Sequence, residues 1–266
     1  MLNKPLFAME WKSNYKLLII FSLILTMYIT MIITMYDPEL GAILDEFAKY
    51  MPEIMSIAGM SGPTGTLVQF LSTYLYGFLL TAFPLIFMII LSLKLIVRKI
   101  DNGSMSFLMS SGVRRSSVWF TQLMVLLSFL MVLLLYCALL MLICSAALYP
   151  GELEIASFLR LNVGLFCLLA ALSSICFLAS CIFDEYKSAA LLGAGIPVLF
   201  LLIQMLANMK GNLENFKYAT IMTLFDSQEL IAGSSEGIVM CTMLALLAIL
   251  CFSVSAILFR KRDLPL

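Results

Sequence analysis

Little of the ordinary equipment of catalysis is present in this chain. None of its 266 residues is histidine, which removes imidazole acid–base chemistry, Ser–His and Cys–His nucleophiles and imidazole metal ligation together. Seven cysteines, at 137, 144, 167, 176, 181, 241 and 251, all fall inside apolar runs with no C-x-x-C pair. They read as small buried hydrophobes, and no disulfide framework or zinc site is expected. Gly59-Met60-Ser61-Gly62 sets a serine between glycines, but without a histidine base, and with Pro63 and Gly65 following, it reads as a plain turn. No G-x-x-x-x-G-K-[ST] phosphate loop occurs, so ATP hydrolysis is not expected of this chain. A weaker set of candidates remains. Gln69, Gln122, Asn162 and Gln204 are polar residues inside apolar runs, placed either to line a substrate pathway or to hydrogen-bond between helices.

The elements that carry them follow from composition. Apolar residues make up 62% and charged residues 12%, against about 45–50% and about 25% in a soluble domain, so the apolar excess must face lipid. Six uncharged runs, near 17–36, 67–93, 118–149, 158–183, 189–209 and 238–259, reach the roughly 20 residues needed to cross a bilayer as helix. The expected fold is all-α, a polytopic membrane protein with six transmembrane helices forming a single transmembrane domain over 1–266. The third run is longer than one span needs and too short for two spans with a turn, so a tilted or protruding helix is expected there. Pro84, Gly193, Gly195 and Pro197 can kink helices or let them approach closely.

Six spans put both termini on one side of the membrane. The segments on that side, 1–16, 94–117, 184–188 and 260–266, hold twelve basic and five acidic residues, while the opposite side holds four basic and eleven acidic ones. Lys and Arg are retained in the cytoplasm during insertion, which predicts cytoplasmic termini and a cytoplasmic 94–117 loop. The first run is too long for a signal-peptide core and lacks a small-residue cleavage site, so it reads as an uncleaved anchor. The net charge of zero gives no footprint for nucleic acid. Apart from Arg160 at an outer edge, the runs carry no charge. Ion-coupled carriers bury carboxylates, so the energy for any transport must come from outside the chain.

Outside the spans, residues 1–16 place Phe7, Trp11 and Tyr15 four apart, an aromatic stripe suited to the membrane interface or to a partner. The 37–66 loop begins with Asp37-Pro38-Glu39, a helix-start signature, and continues with apolar periodicity interrupted by Pro52, which predicts two short amphipathic helices. The 210–237 loop carries Phe216, Tyr218, Ile221, Met222, Leu224 and Phe225, enough apolar surface to turn back toward the membrane.

The 94–117 loop is the most informative. Asp101-Asn102-Gly103-Ser104 leads into Met105-Ser106-Phe107-Leu108-Met109, and Gly112 precedes Arg114 and Arg115. Asp101 or Ser104 can cap a short helix that Gly112 ends, and its apolar cluster suits insertion in a groove on a soluble partner. This stretch resembles the loop between the second and third spans of ABC-2 type transporter permeases, and the closing Phe259-Arg260-Lys261-Arg262-Asp263-Leu264 resembles their ending. It departs from that pattern with Asp101 for glutamate, Ser104 for threonine and Gly112 for proline.

The resemblance implies a non-catalytic membrane subunit in a bacterial cell membrane. Its partners would be separate cytoplasmic ABC ATPase subunits, which hold ATP and magnesium, and a second membrane subunit, identical or paralogous. Asp101, Gly103, Ser104, Phe107, Leu108, Arg114 and Arg115 would form the first coupling element. Asp184, Glu185, Tyr186 and Lys187 would form a second, shorter one. The expected function is export of an amphipathic or hydrophobic substrate such as an antimicrobial peptide, a drug or a lipid-like molecule. Two alternatives stand beside it: a substrate-binding membrane subunit for vitamin uptake, and an immunity protein that sequesters a peptide without pumping it.

Overall fold

The computed structural model describes residues 2–36, 64–110, 112–208 and 218–261. The short helices expected within 37–63, the Gly59–Gly62 turn, Phe216 and the closing residues 262–264 lie outside them. The described residues are all-helical with no strand. Six helical stretches are long and apolar enough to cross a membrane: Lys4–Thr34, Leu79–Asp101, Arg115–Leu148, Ile155–Ile182, Tyr186–Ala207 and Ser235–Lys261. The chain is a multi-pass membrane protein.

The first helix, α1, runs unbroken over Lys4–Thr34, merging the N-terminal segment with the first span. Asn3 caps it by accepting from the Leu6 backbone N–H at 3.2 Å, Pro5 sits in its first turn, and residues 6–34 contain no glycine or proline to interrupt it. The second crossing is not the one helix that its uncharged run suggests. After α2 (Leu67–Leu71), Ser72–Tyr76 forms a π-helical turn, and the chain restarts as α3 (Leu79–Leu95) beyond Phe78. The Thr81 hydroxyl donates to the Tyr76 carbonyl at 2.9 Å, satisfying a backbone group released by the break. Two short helices, α4 (Val97–Asp101) and α5 (Ser104–Ser110), then lead to α6 (Arg115–Leu148). At 1.5 Å per residue the 34 residues of α6 extend about 51 Å, well beyond a hydrocarbon core of roughly 30 Å.

The remaining elements are α7 (Ile155–Ile182), α8 (Tyr186–Ala207), a 3-10 turn at Ile221–Leu224, α9 (Ser227–Ala232) and α10 (Ser235–Lys261). The centre of the bundle is α3 and α7, whose apolar side chains are mostly buried, while α1, α8 and α10 leave broad apolar faces exposed. Helix association in lipid depends on close packing, and α7 meets α8 where Gly193 has no side chain. A Cβ there would lie 3.0 Å from that of Ala179, and the Cys176 thiol donates to the Gly193 carbonyl at 2.8 Å. All seven cysteines are free.

The end of the bundle where α1 begins and α10 ends is tied by the Asn3 N–H to Thr121 Oγ1 at 2.9 Å and by Trp119 Nε1 to Ser255 Oγ at 3.1 Å. At the opposite end Tyr36 packs edge-on against Phe70 and Tyr149, whose hydroxyl donates to the Tyr36 carbonyl. Burial, with the Glu152 carboxylate nearby, raises the Tyr36 phenol above its ordinary pKa and keeps it protonated. Residues 220–231 fold back onto this end. Met222 and Leu230 are buried, Thr220 Oγ1 donates to the Phe200 carbonyl at 3.3 Å, and Ser157 Oγ donates to the Ile231 carbonyl at 2.9 Å.

Candidate functional site

The segment between the second and third crossings is a strapped hairpin. Asn102, and neither Asp101 nor Ser104, closes its first turn: Asn102 Oδ1 accepts from the Ser104 N–H at 3.2 Å and from its hydroxyl at 2.7 Å. An Asx side chain competes well for such a nearby backbone donor. Gly103 at φ 73° and Gly112 at φ 78° bracket α5 in the left-handed region that L side chains disfavour. Seven residues are too few to hold a helix alone. Met105 anchors α5, buried in the core, with Leu108 and Met109 packed partly against the same core. Phe107 points the other way and is 81% exposed. Arg114 is the exposed, extended residue that precedes α6, and Arg115 is its first helical residue. Asp184, Glu185, Tyr186 and Lys187 are all exposed at the α7–α8 turn, and α8 touches α4. The fold thus brings both sequence-predicted contact segments to one end of the bundle.

Directly beneath the hairpin is a buried charge cluster. Glu10, on α1, is 3% exposed and forms an ion pair with Lys99 of α4. Gln122 of α6 is fully buried and donates through Nε2 to the same Glu10 oxygen, Oε1, at 3.1 Å. Asn14, also buried, donates to the Glu10 carbonyl at 2.9 Å. Trp11 of α1 stacks on Phe129 with ring centroids 4.2 Å apart and donates to Ser128 Oγ at 3.2 Å. Phe7 and Trp11 therefore pack inward against the bundle, and of the three stripe aromatics Tyr15 is the exposed one. The cluster welds α1, α4 and α6 together next to α5. The Lys99 carbonyl itself accepts from the Ser104 hydroxyl at 3.3 Å, so the ion pair and the hairpin share a residue.

At the opposite end the π-helical turn opens a cavity of about 380 Å³. Ser72, Thr73 and Tyr76 come from that turn, Gln204 and Asn208 from the end of α8, and residues 225–228 from the folded-back segment. π-Turns widen the backbone by one residue and recur at functional sites. Gln204 Nε2 donates to Asn208 Oδ1 at 3.1 Å, while its buried Oε1 has no partner. The buried Tyr76 hydroxyl has none either, with the Asn162 amide beside it but outside hydrogen-bond geometry.

The four polar span residues do not converge. Gln204 lines the cavity. Gln69 sits one turn before the π-turn, and its carbonyl accepts from Ser72 Oγ at 2.8 Å. Asn162 donates to the Phe158 carbonyl at 2.9 Å, and Gln122 is at the other end with Glu10. Sequence reasoning missed the Glu10–Lys99 pair, because both residues read as flanking charges. It also missed the cavity hydroxyls, although Ser72, Thr73 and Thr81 interrupt an apolar run and were the available signal.

No family model matches this chain, and no curated protein or solved structure matches it.

Proposed function

We propose that this chain is the membrane subunit of an ATP-driven exporter of the ABC-2 type, moving an amphipathic or hydrophobic substrate out of the cytoplasm. The observation that carries this reading is α5. It is a short helix at the end of two crossings, anchored by buried Met105 and bracketed by two left-handed glycines, and it presents Phe107 outward. That is the form a membrane protein gives to a knob that enters a groove on a soluble partner. The twelve-to-four bias of basic residues supports a cytoplasmic position for this end, where an ATPase would meet both α5 and the Asp184–Lys187 turn. The partner supplies ATP and magnesium chemistry, and a second membrane subunit completes the path. Coupling follows if the ATP-bound partner prefers one of two bundle arrangements.

Purification in mild detergent, with mass spectrometry of the co-eluting proteins, tests this directly. The wild-type chain is expected to retain a stoichiometric ATPase. Phe107→Asp should lose it and lose transport while inserting and folding normally, because the side chain makes little contact within the bundle. Retention of the partner and of transport by that variant sinks the coupling role of α5. Recovery of no ATPase with the wild-type chain favours the sequestering reading.

A further inference from the structure

We infer that the cavity at the π-helical turn is a binding site for an uncharged, multiply hydroxylated group, a sugar. This inference does not depend on the proposed ATPase partner. The lining decides the class. Among the described residues no Lys or Arg lines the cavity, which disfavours phosphate, sulfate and carboxylate groups, since anion sites in proteins are built with cations or bundled N–H donors. The one charged residue among the described lining residues is Asp226, whose Oδ1 accepts from the backbone N–H groups of Gln228 at 2.9 Å and Glu229 at 3.3 Å as the cap of α9. That cap role fixes the carboxylate in the wall, where it can accept from a ligand hydroxyl. The rest of the polar wall is hydroxyl and amide, groups that each donate and accept, and hydroxyl-rich ligands do the same at every position.

Three further features fit a sugar. The Gln204 Oε1 acceptor is buried and unpartnered, and an unmet buried acceptor costs roughly 1–3 kcal/mol unless something donates to it. Phe225, Met222 and Leu168 give the cavity apolar walls against which the C–H face of a sugar ring can lie. The volume of about 380 Å³ falls in the roughly 300–1,000 Å³ range of small-molecule sites and limits the occupant to one or two rings. The same chemistry is offered by a free sugar and by the headgroup of a glycolipid.

The experiment uses the full chain in nanodiscs of sugar-free phospholipid, prepared without alkyl-glycoside detergent because that would itself be a ligand. Thermal unfolding is followed with maltose added to the buffer and, separately, with glucosyl diacylglycerol in the bilayer. A saturable rise in midpoint is expected from selective binding to the folded state. A rise with maltose marks a free-sugar site, and a rise with the glycolipid alone marks a headgroup site; either supports the assignment. Gln204→Leu and Gln228→Leu should each weaken apparent affinity about tenfold, the size of one lost hydrogen bond. Ser253→Ala, on the exposed face of α10, should leave it unchanged. If one of the two leucine variants does not fold, the other and Ser72→Ala carry the test. No saturable rise with either probe, or equal affinity in the cavity variants and wild type, overturns the site. A response to glycylglycine in place of both sugars overturns its chemical class.

Discussion

The two ends of this bundle each contain a buried polar cluster, and the clusters are opposite in kind. At the end where α1 begins and α10 ends, Glu10 carries a buried charge that Lys99 and Gln122 meet directly, and Asn14 donates to its carbonyl, while Asn14 Oδ1 and Gln122 Oε1 are left without partners. At the other end the polar groups are mostly neutral and gathered around open volume. The difference follows from the cost of leaving each unpaired. A buried charge without a partner costs several kcal/mol, so it is retained only when locked into a fixed arrangement. A buried neutral acceptor costs about 1–3 kcal/mol, which a fold can tolerate, as it does at both ends here. The first cluster is therefore a joint and the second the wall of a cavity.

Mutation should break the joint hardest. Glu10→Ala strands Lys99 and Gln122 and is expected to lower unfolding stability by about 3–5 kcal/mol, read from the fluorescence of Trp11 and Trp119 in a denaturant series. Glu10→Ala combined with Lys99→Met should recover most of that loss, and failure to do so would show that packing, not charge, holds the joint. Next comes a backbone break at the other end. Gly233 ends α9 at φ 70°, and a Cβ there would collide with the Arg160 guanidinium, so Gly233→Ala should cost about 2 kcal/mol in the same titration. Gln122→Leu removes one hydrogen bond to a charged group but also removes an unpartnered amide oxygen, for a net loss of about 1 kcal/mol. The smallest effect is expected from Gln204→Leu, within about 0.5 kcal/mol of wild type in the absence of ligand. A loss as large as that of Glu10→Ala would erase the contrast between the two clusters.

Much of this architecture is legible in the sequence because lipid imposes a simple rule: twenty uncharged residues in a row have few other places to go. The six crossings and the single long helix at Arg115–Leu148 follow from that rule. The hairpin was legible in outline, since Gly103 and Gly112 mark its turns, yet Asn102 takes the cap from Asp101 and Ser104 because its side chain reaches the Ser104 N–H directly. Glu10 was not legible. Its partners Lys99 and Gln122 are 89 and 112 residues away, and a local pattern shows only a charged flank. The break at Ser72–Tyr76 was equally hidden, because a π-turn conserves composition and changes only which carbonyl each N–H meets.

The continuity of α1 has a mechanical consequence. Its 31 residues form a stiff rod of about 46 Å, clamped near one tip by Glu10 to the residue pair flanking the hairpin and followed at the other tip by Tyr36, which Tyr149 grips. A rod with no hinge cannot absorb a push at one end. A tilt of about five degrees displaces the far tip by about 4 Å over that length, so strain applied beside Phe107 arrives, as leverage, at the far mouth of the bundle.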